Sequence, residues 1–137
     1  MEAAALMEDA DFDASGKHKT VIEHRLISGV DCYIEKPLTL GAKGKWRQSK
    51  DDKKVYAANL REATRKARGL PDCAQYAHFR AKLGLSRRQA SLLLGAGPKA
   101  FDKYERGEEL PSAPSFKLMM LLDHDPLLVK VLQTAEG

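Results

Sequence analysis

His24 follows Glu23, and His124 sits between Asp123 and Asp125; these are the pairs in the 137-residue chain whose types could move a proton. Adjacent residues on one element point in different directions, so neither pair brings an acid and a base to the same substrate atom. There is no phosphate-cradling glycine loop, no GxSxG, no HExxH and no acidic pair in an apolar setting. Cys32 and Cys73 lie in different segments and form no CxxC pair, and His18, His24, His78 and His124 are scattered. A thiolate zinc site needs closely spaced ligand pairs, so none can be assembled, and the cysteines read as two reduced thiols. The expectation is no catalytic residue, no metal, no cofactor and no enzyme.

The chemistry that remains is that of charge. Residues 1–40 carry four Lys or Arg against eight Asp or Glu, residues 41–106 seventeen against six, and residues 107–137 two against five. A central stretch at net +11 between acidic ends suits attraction to a polyanion, a solubilising lysine-rich loop and helix being the alternative. No apolar run approaches the roughly 20 residues that cross a bilayer, and the opening MEAAALMEDADFD is acidic where a signal peptide is basic and apolar. A cytoplasmic protein without membrane contact is expected.

The elements that position these charges follow from local pattern. Residues 1–16 read as an acidic flexible tail. Residues 17–50 read as a small, partly disordered region with two or three short strands, because Val21, Ile22, Ile27, Val30, Tyr33 and Ile34 gather around a Ser28-Gly29 break. Lone Trp46, in AKGKWRQSK, suits either stacking on a base or sugar or anchoring of a loop; anchoring is the simpler reading. Residues 51–70 read as a basic connecting helix, ended by Gly69 and Pro71.

From 71 to 137 the pattern is helical throughout. A first helix, about Asp72 to Leu83, puts Tyr76, Phe79 and Leu83 on one stripe. Ser86 is an N-cap with Gln89 at the capping-box position, and Ala90, Leu93 and Leu94 give the second helix its apolar face. After Gly95 and Gly97, Pro98 opens a third helix, PKAFDKYER, at the position where its missing N–H costs nothing. Two short helices joined by a glycine turn form the geometry in which the second can enter a groove. Phe101, Leu93, Leu118 and Leu122 are expected core. Phe116, Met119, Met120, Leu128 and Val129 crowd more apolar surface into the terminal region than a small monomer easily buries, which a homodimer interface explains, a self-contained core being the alternative.

The run LGLSRRQASLLLG leading to KYERGEELPS resembles the Xre-type helix-turn-helix family over roughly residues 72–124. More narrowly, FRAKLGLSRRQASLLLGAGPKAFDKYERG followed by KLMMLLDHDPLL is similar to the C-terminal domain of the MqsA-family antitoxins. That resemblance implies a mainly α chain built on a five-helix Xre/Cro-like DNA-binding domain, which dimerises, represses its own operon and neutralises a toxin encoded nearby. It also implies that Lys99 and Lys103 occupy the base-reading positions, where that family often carries Asn and Arg. The family's two upstream zinc-binding CxxC pairs are missing here.

Around those lysines, Pro98 and Asp102 share the edge of the helix that meets double-stranded DNA, Asp102 being able to accept from a cytosine amino group. Arg87, Arg88 and Arg106 are placed for phosphates. An adaptor or toxin-neutralising module that uses the fold mainly for protein contact is the alternative. It calls for an acidic or apolar recognition face, which Lys99 and Lys103 do not provide.

Overall fold

The computed structural model describes the backbone of residues 4–136 and the side chains of residues 12–135. It divides into two compact units, residues 1–70 and residues 71–137.

The first unit is a sheet with one helix against it. Strands β1 (Ala4–Phe12), β2 (His18–Ile27), β3 (Val30–Leu40) and the two-residue β4 (Trp46–Arg47) pair antiparallel in sequence order. Ser28 and Gly29 turn β2 into β3 with φ of 49° and 77°, the doubly left-handed turn whose twist matches a two-residue hairpin. Along β2 and β3 the residues alternate, and Val21, Glu23, Cys32 and Ile34 are buried.

Helix α1 (Lys50–Arg68) packs on β3 and forms the unit's second layer. Ser49 and Asp52 close a reciprocal capping box at 3.1 and 2.9 Å, and Thr39 donates to the same Asp52 carboxylate at 2.6 Å, which ties the helix start to β3. Gly69, at φ 69°, ends the helix. Glu23, a buried carboxylate, accepts from the Tyr56 hydroxyl and lies 3.3 Å from Arg25 and 3.5 Å from Lys36. Burial, then that hydrogen bond, pushes the Tyr56 phenol up to about 12.

This unit overturns the expectation of a mainly α chain with a small, partly disordered N-terminal region. The described residues hold six α-helices and a well-formed antiparallel sheet. The acidic segment at its start carries no strong alternation, yet backbone pairing to β2 makes it a strand, with an irregularity between Met7 and Ala10. Ladder hydrogen bonds use N–H and C=O groups that every such residue has, so a neighbour recruited it where its own pattern did not.

The second unit contains α2 (Cys73–Lys82), α3 (Arg87–Leu93), α4 (Ala100–Glu105), α5 (Ala113–His124), a 3-10 turn at Pro126–Leu128 and α6 (Val129–Glu136). Phe101 and Leu122 sit at the centre of its core, with Tyr76, Leu93, Tyr104 and Met119 around them. Phe79 stacks on Phe101 with ring centroids 6.3 Å apart. No helix among the described residues is long and apolar enough to cross a membrane.

Candidate nucleic-acid interface

The turn between α3 and α4 determines what α4 presents. Ser86 caps α3 by accepting from the Gln89 amide at 3.1 Å, and the Gln89 side chain accepts from the Ser86 amide at 2.8 Å. Gly95 and Gly97 stand at φ 68° and 90°, conformations that a side chain would strain, so the chain reverses within a few residues. Pro98 and Lys99 belong to this turn, and α4 begins at Ala100, two residues later than the position of Pro98 suggested.

Lys99, at the N-cap of α4, makes no side-chain cap. The Ser91 hydroxyl of α3 replaces it: it donates to the Arg87 carbonyl at 2.7 Å and accepts from the Phe101 amide at 2.9 Å, with Ser91 wholly buried. An amide that the first turn of a helix leaves without an intrahelical partner is thereby satisfied from the neighbouring helix. Ala90, also buried, belongs to the core cluster that includes Phe101.

A charged brace fixes the other end of α4. Arg80 of α2 grips Glu105 through two hydrogen bonds of 2.9 Å, and Arg87 reaches the same carboxylate at 3.3 Å. Burial pushes the Glu105 carboxyl up, but the hydrogen bonds and charge of Arg80, with those of Arg87, prevail and hold it below the usual carboxylate range. The same pairing raises the Arg80 guanidinium.

The side chains singled out from sequence are distributed over this frame as follows. Pro98, Lys99 and Lys103 are exposed, and Asp102 is half-buried. Lys103 lies 3.7 Å from Glu109. Arg88 is exposed on the first turn of α3. Arg87 is exposed but tied to Glu105 and, at 3.8 Å, to Asp102, while Arg106 donates to the Asp102 carbonyl at 3.1 Å and faces Glu108 at 3.7 Å. The cationic surface is therefore partly pre-paired, which holds the long side chains near one geometry.

The apolar residues assigned to a dimer interface divide. Met119 and Val129 are buried in the chain's own core, and Phe116 is half-buried against that core. Met120 and Leu128 are exposed, and Leu121, Leu127 and Val131 join them, Leu127 at 74%.

Sequence reasoning missed Ser91 and the Arg80–Glu105 brace. A hydroxyl inside the apolar run ASLLL was the available signal for Ser91, since a buried polar group requires a partner. Nothing local marks the brace, whose ends lie twenty-five residues apart. Among the described residues no group of three His, Cys, Asp or Glu could hold a metal ion.

Residues 40–133 match the family model described as the antitoxin component of a bacterial toxin-antitoxin system, MqsA. β1, β2 and nearly all of β3 lie outside the match. The chain is also similar to the protein named Antitoxin MqsA of Escherichia coli (strain K12), 40% identical over 50 residues. That alignment covers 36% of this chain and 38% of the relative, so the chain spans well under half of that protein's length.

Proposed function

The chain belongs to the MqsA antitoxin family, and from that premise we propose that it is a sequence-specific DNA-binding repressor acting as the antitoxin of a toxin-antitoxin pair in the cytoplasm. In this reading α3, the glycine turn and α4 are an Xre-type helix-turn-helix, with α4 entering the major groove. Lys99 and Lys103 donate to base edges, Pro98 and Asp102 border the same edge, and Arg87, Arg88 and Arg106 meet phosphates and set register. The observation that carries the reading is the exposed pair Lys99, at the N-cap of α4, and Lys103, on it, with the first turn of this short helix capped by Ser91 and its last braced by Arg80.

A helix this short touches few bases, and each good contact adds roughly 1–3 kcal/mol of discrimination. Specific binding thus calls for a two-fold homodimer, formed in this reading by Met120, Leu121, Leu127, Leu128 and Val131 with Phe116 at the edge. The operon that encodes the chain is the regulated target, and the toxin encoded beside it is the protein partner.

The test is the affinity of the full chain for duplex DNA from upstream of its own reading frame. Lys99→Ala and Lys103→Ala are each expected to cost roughly 1–3 kcal/mol there and to relax discrimination at one position, whereas Arg88→Ala weakens all sequences alike. Lysine variants that bind every duplex as the wild type does would remove α4 from the interface.

A further inference from the structure

Trp46, the chain's only tryptophan, lies in the first unit and takes no part in the DNA-binding reading. With Lys36, Leu38, Arg47, Gln48 and Lys53 it lines an open cavity of about 610 Å3, within the size range of small-ligand sites. We propose that this cavity binds a nucleoside phosphate, with the phosphate among Arg47, Lys53 and Lys36 and the base or sugar against Trp46 and Leu38.

Charge carries the first half of the argument. Three of the six lining residues are cations and none is an acid. Lys36 is shared with Glu23 at 3.5 Å, while no ion pair among the described residues engages Arg47 or Lys53. Lys19 adds a fourth cation nearby, its Nζ 4.4 Å from the centroid of the indole. On α1, the Asp52 carboxylate is committed to Thr39 and Ser49. Two cations outside any ion pair, beside a third shared with Glu23, favour an anion in the cavity, and an arginine fork suits a phosphate.

The second half is the unsatisfied donor. The Gln48 side-chain nitrogen is buried without a hydrogen-bond partner. Such a group costs free energy, which a turn of the Gln48 amide toward an acceptor in the cavity it lines would recover. A bare anion would use the cations and this amide but make no use of Leu38 or of the half-buried indole, whose ring also carries Lys19 and, edge-on, Phe12. A nucleotide uses all of them, since every base has a face that stacks on an aromatic ring.

A free mononucleotide and one nucleotide of a nucleic-acid chain present the same chemistry, and a titration separates them. Trp46 fluorescence reports on this cavity alone, with calorimetry as a second readout. The full chain is titrated with AMP, CMP, adenosine, inorganic phosphate and a mixed-sequence single-stranded octanucleotide. The expected result is saturable binding of a mononucleotide or of the octanucleotide, weakened about tenfold by Arg47→Ala and by Lys53→Ala, as for loss of one charge-assisted hydrogen bond. Adenosine and inorganic phosphate bind at least about tenfold more weakly than AMP or CMP. Saturation by AMP or CMP identifies a free nucleotide, and saturation by the octanucleotide alone identifies a nucleotide within a strand.

Both substituted side chains are exposed, and melting curves verify that the variants fold. Lys99→Ala with Lys103→Ala leaves the response intact, which separates this site from α4. No saturation by any nucleotide at millimolar concentration, affinity unchanged in both cavity variants, or phosphate binding as tightly as AMP overturns the proposal.

Discussion

The Ser91 hydroxyl accepts a hydrogen bond from the Phe101 amide at 2.9 Å, so a side chain of α3 caps the helix that follows it. Replacing Ser91 by Ala leaves that buried amide without a partner. The expected cost is about 1–3 kcal/mol of unfolding free energy, read from chemical denaturation. DNA affinity falls further than stability alone accounts for, because the first turn of α4, beside Lys99, loses its anchor.

Glu105 makes the second unit sensitive to acid. Its carboxyl is held below the usual range in the folded chain, so its contribution is fully present above the unfolded carboxylate pKa. That contribution is lost as pH falls through the lowered folded value. Glu105→Gln is therefore less stable than wild type by about 2 kcal/mol at pH 7, and the gap narrows once the pH falls below the ordinary carboxylate value of about 4. Equal denaturation midpoints for the two proteins at pH 7 would remove the brace from the account.

What the sequence disclosed followed the range of each interaction. The Ser86–Gln89 box and the Gly69 stop are local, and both could be read from residues at most a few positions apart. The Phe101 and Leu122 core followed from helical periodicity. In contrast, the run LMMLL offers no gap from which to tell Met119, which is buried, from Met120, which is exposed. The strand made by the acidic start depends on pairing with β2, and the Arg80–Glu105 brace on the packing of α2 against α4. Lys99 and Lys103 were placed by resemblance. The structure adds that they are exposed and that α4 starts at Ala100, so that Lys103 lies on the helix and Lys99 at its N-cap.

The proposed dimer can be separated from the core by two substitutions. Leu127 is 74% exposed, and Leu127→Asp is expected to leave the melting temperature near that of wild type while shifting sedimentation at micromolar concentration from dimer to monomer. Leu122, 1% exposed, supplies the contrast: Leu122→Asp buries an unpaired charge and unfolds the unit. A Leu127→Asp variant that remains dimeric would move the interface elsewhere.

Selection of duplexes from a random-sequence pool by the full chain, beside the same selection by a Lys99→Ala, Lys103→Ala double variant, tests the central claim most directly. Two α4 helices related by a two-fold axis reach successive major grooves. The wild type is therefore predicted to enrich an inverted repeat with half-sites about 10 base pairs apart, or a multiple of that. The double variant is predicted to lose the half-site preference while keeping weak, salt-sensitive binding. No enrichment by the wild type, a single asymmetric site, or the same motif from both proteins would contradict the account.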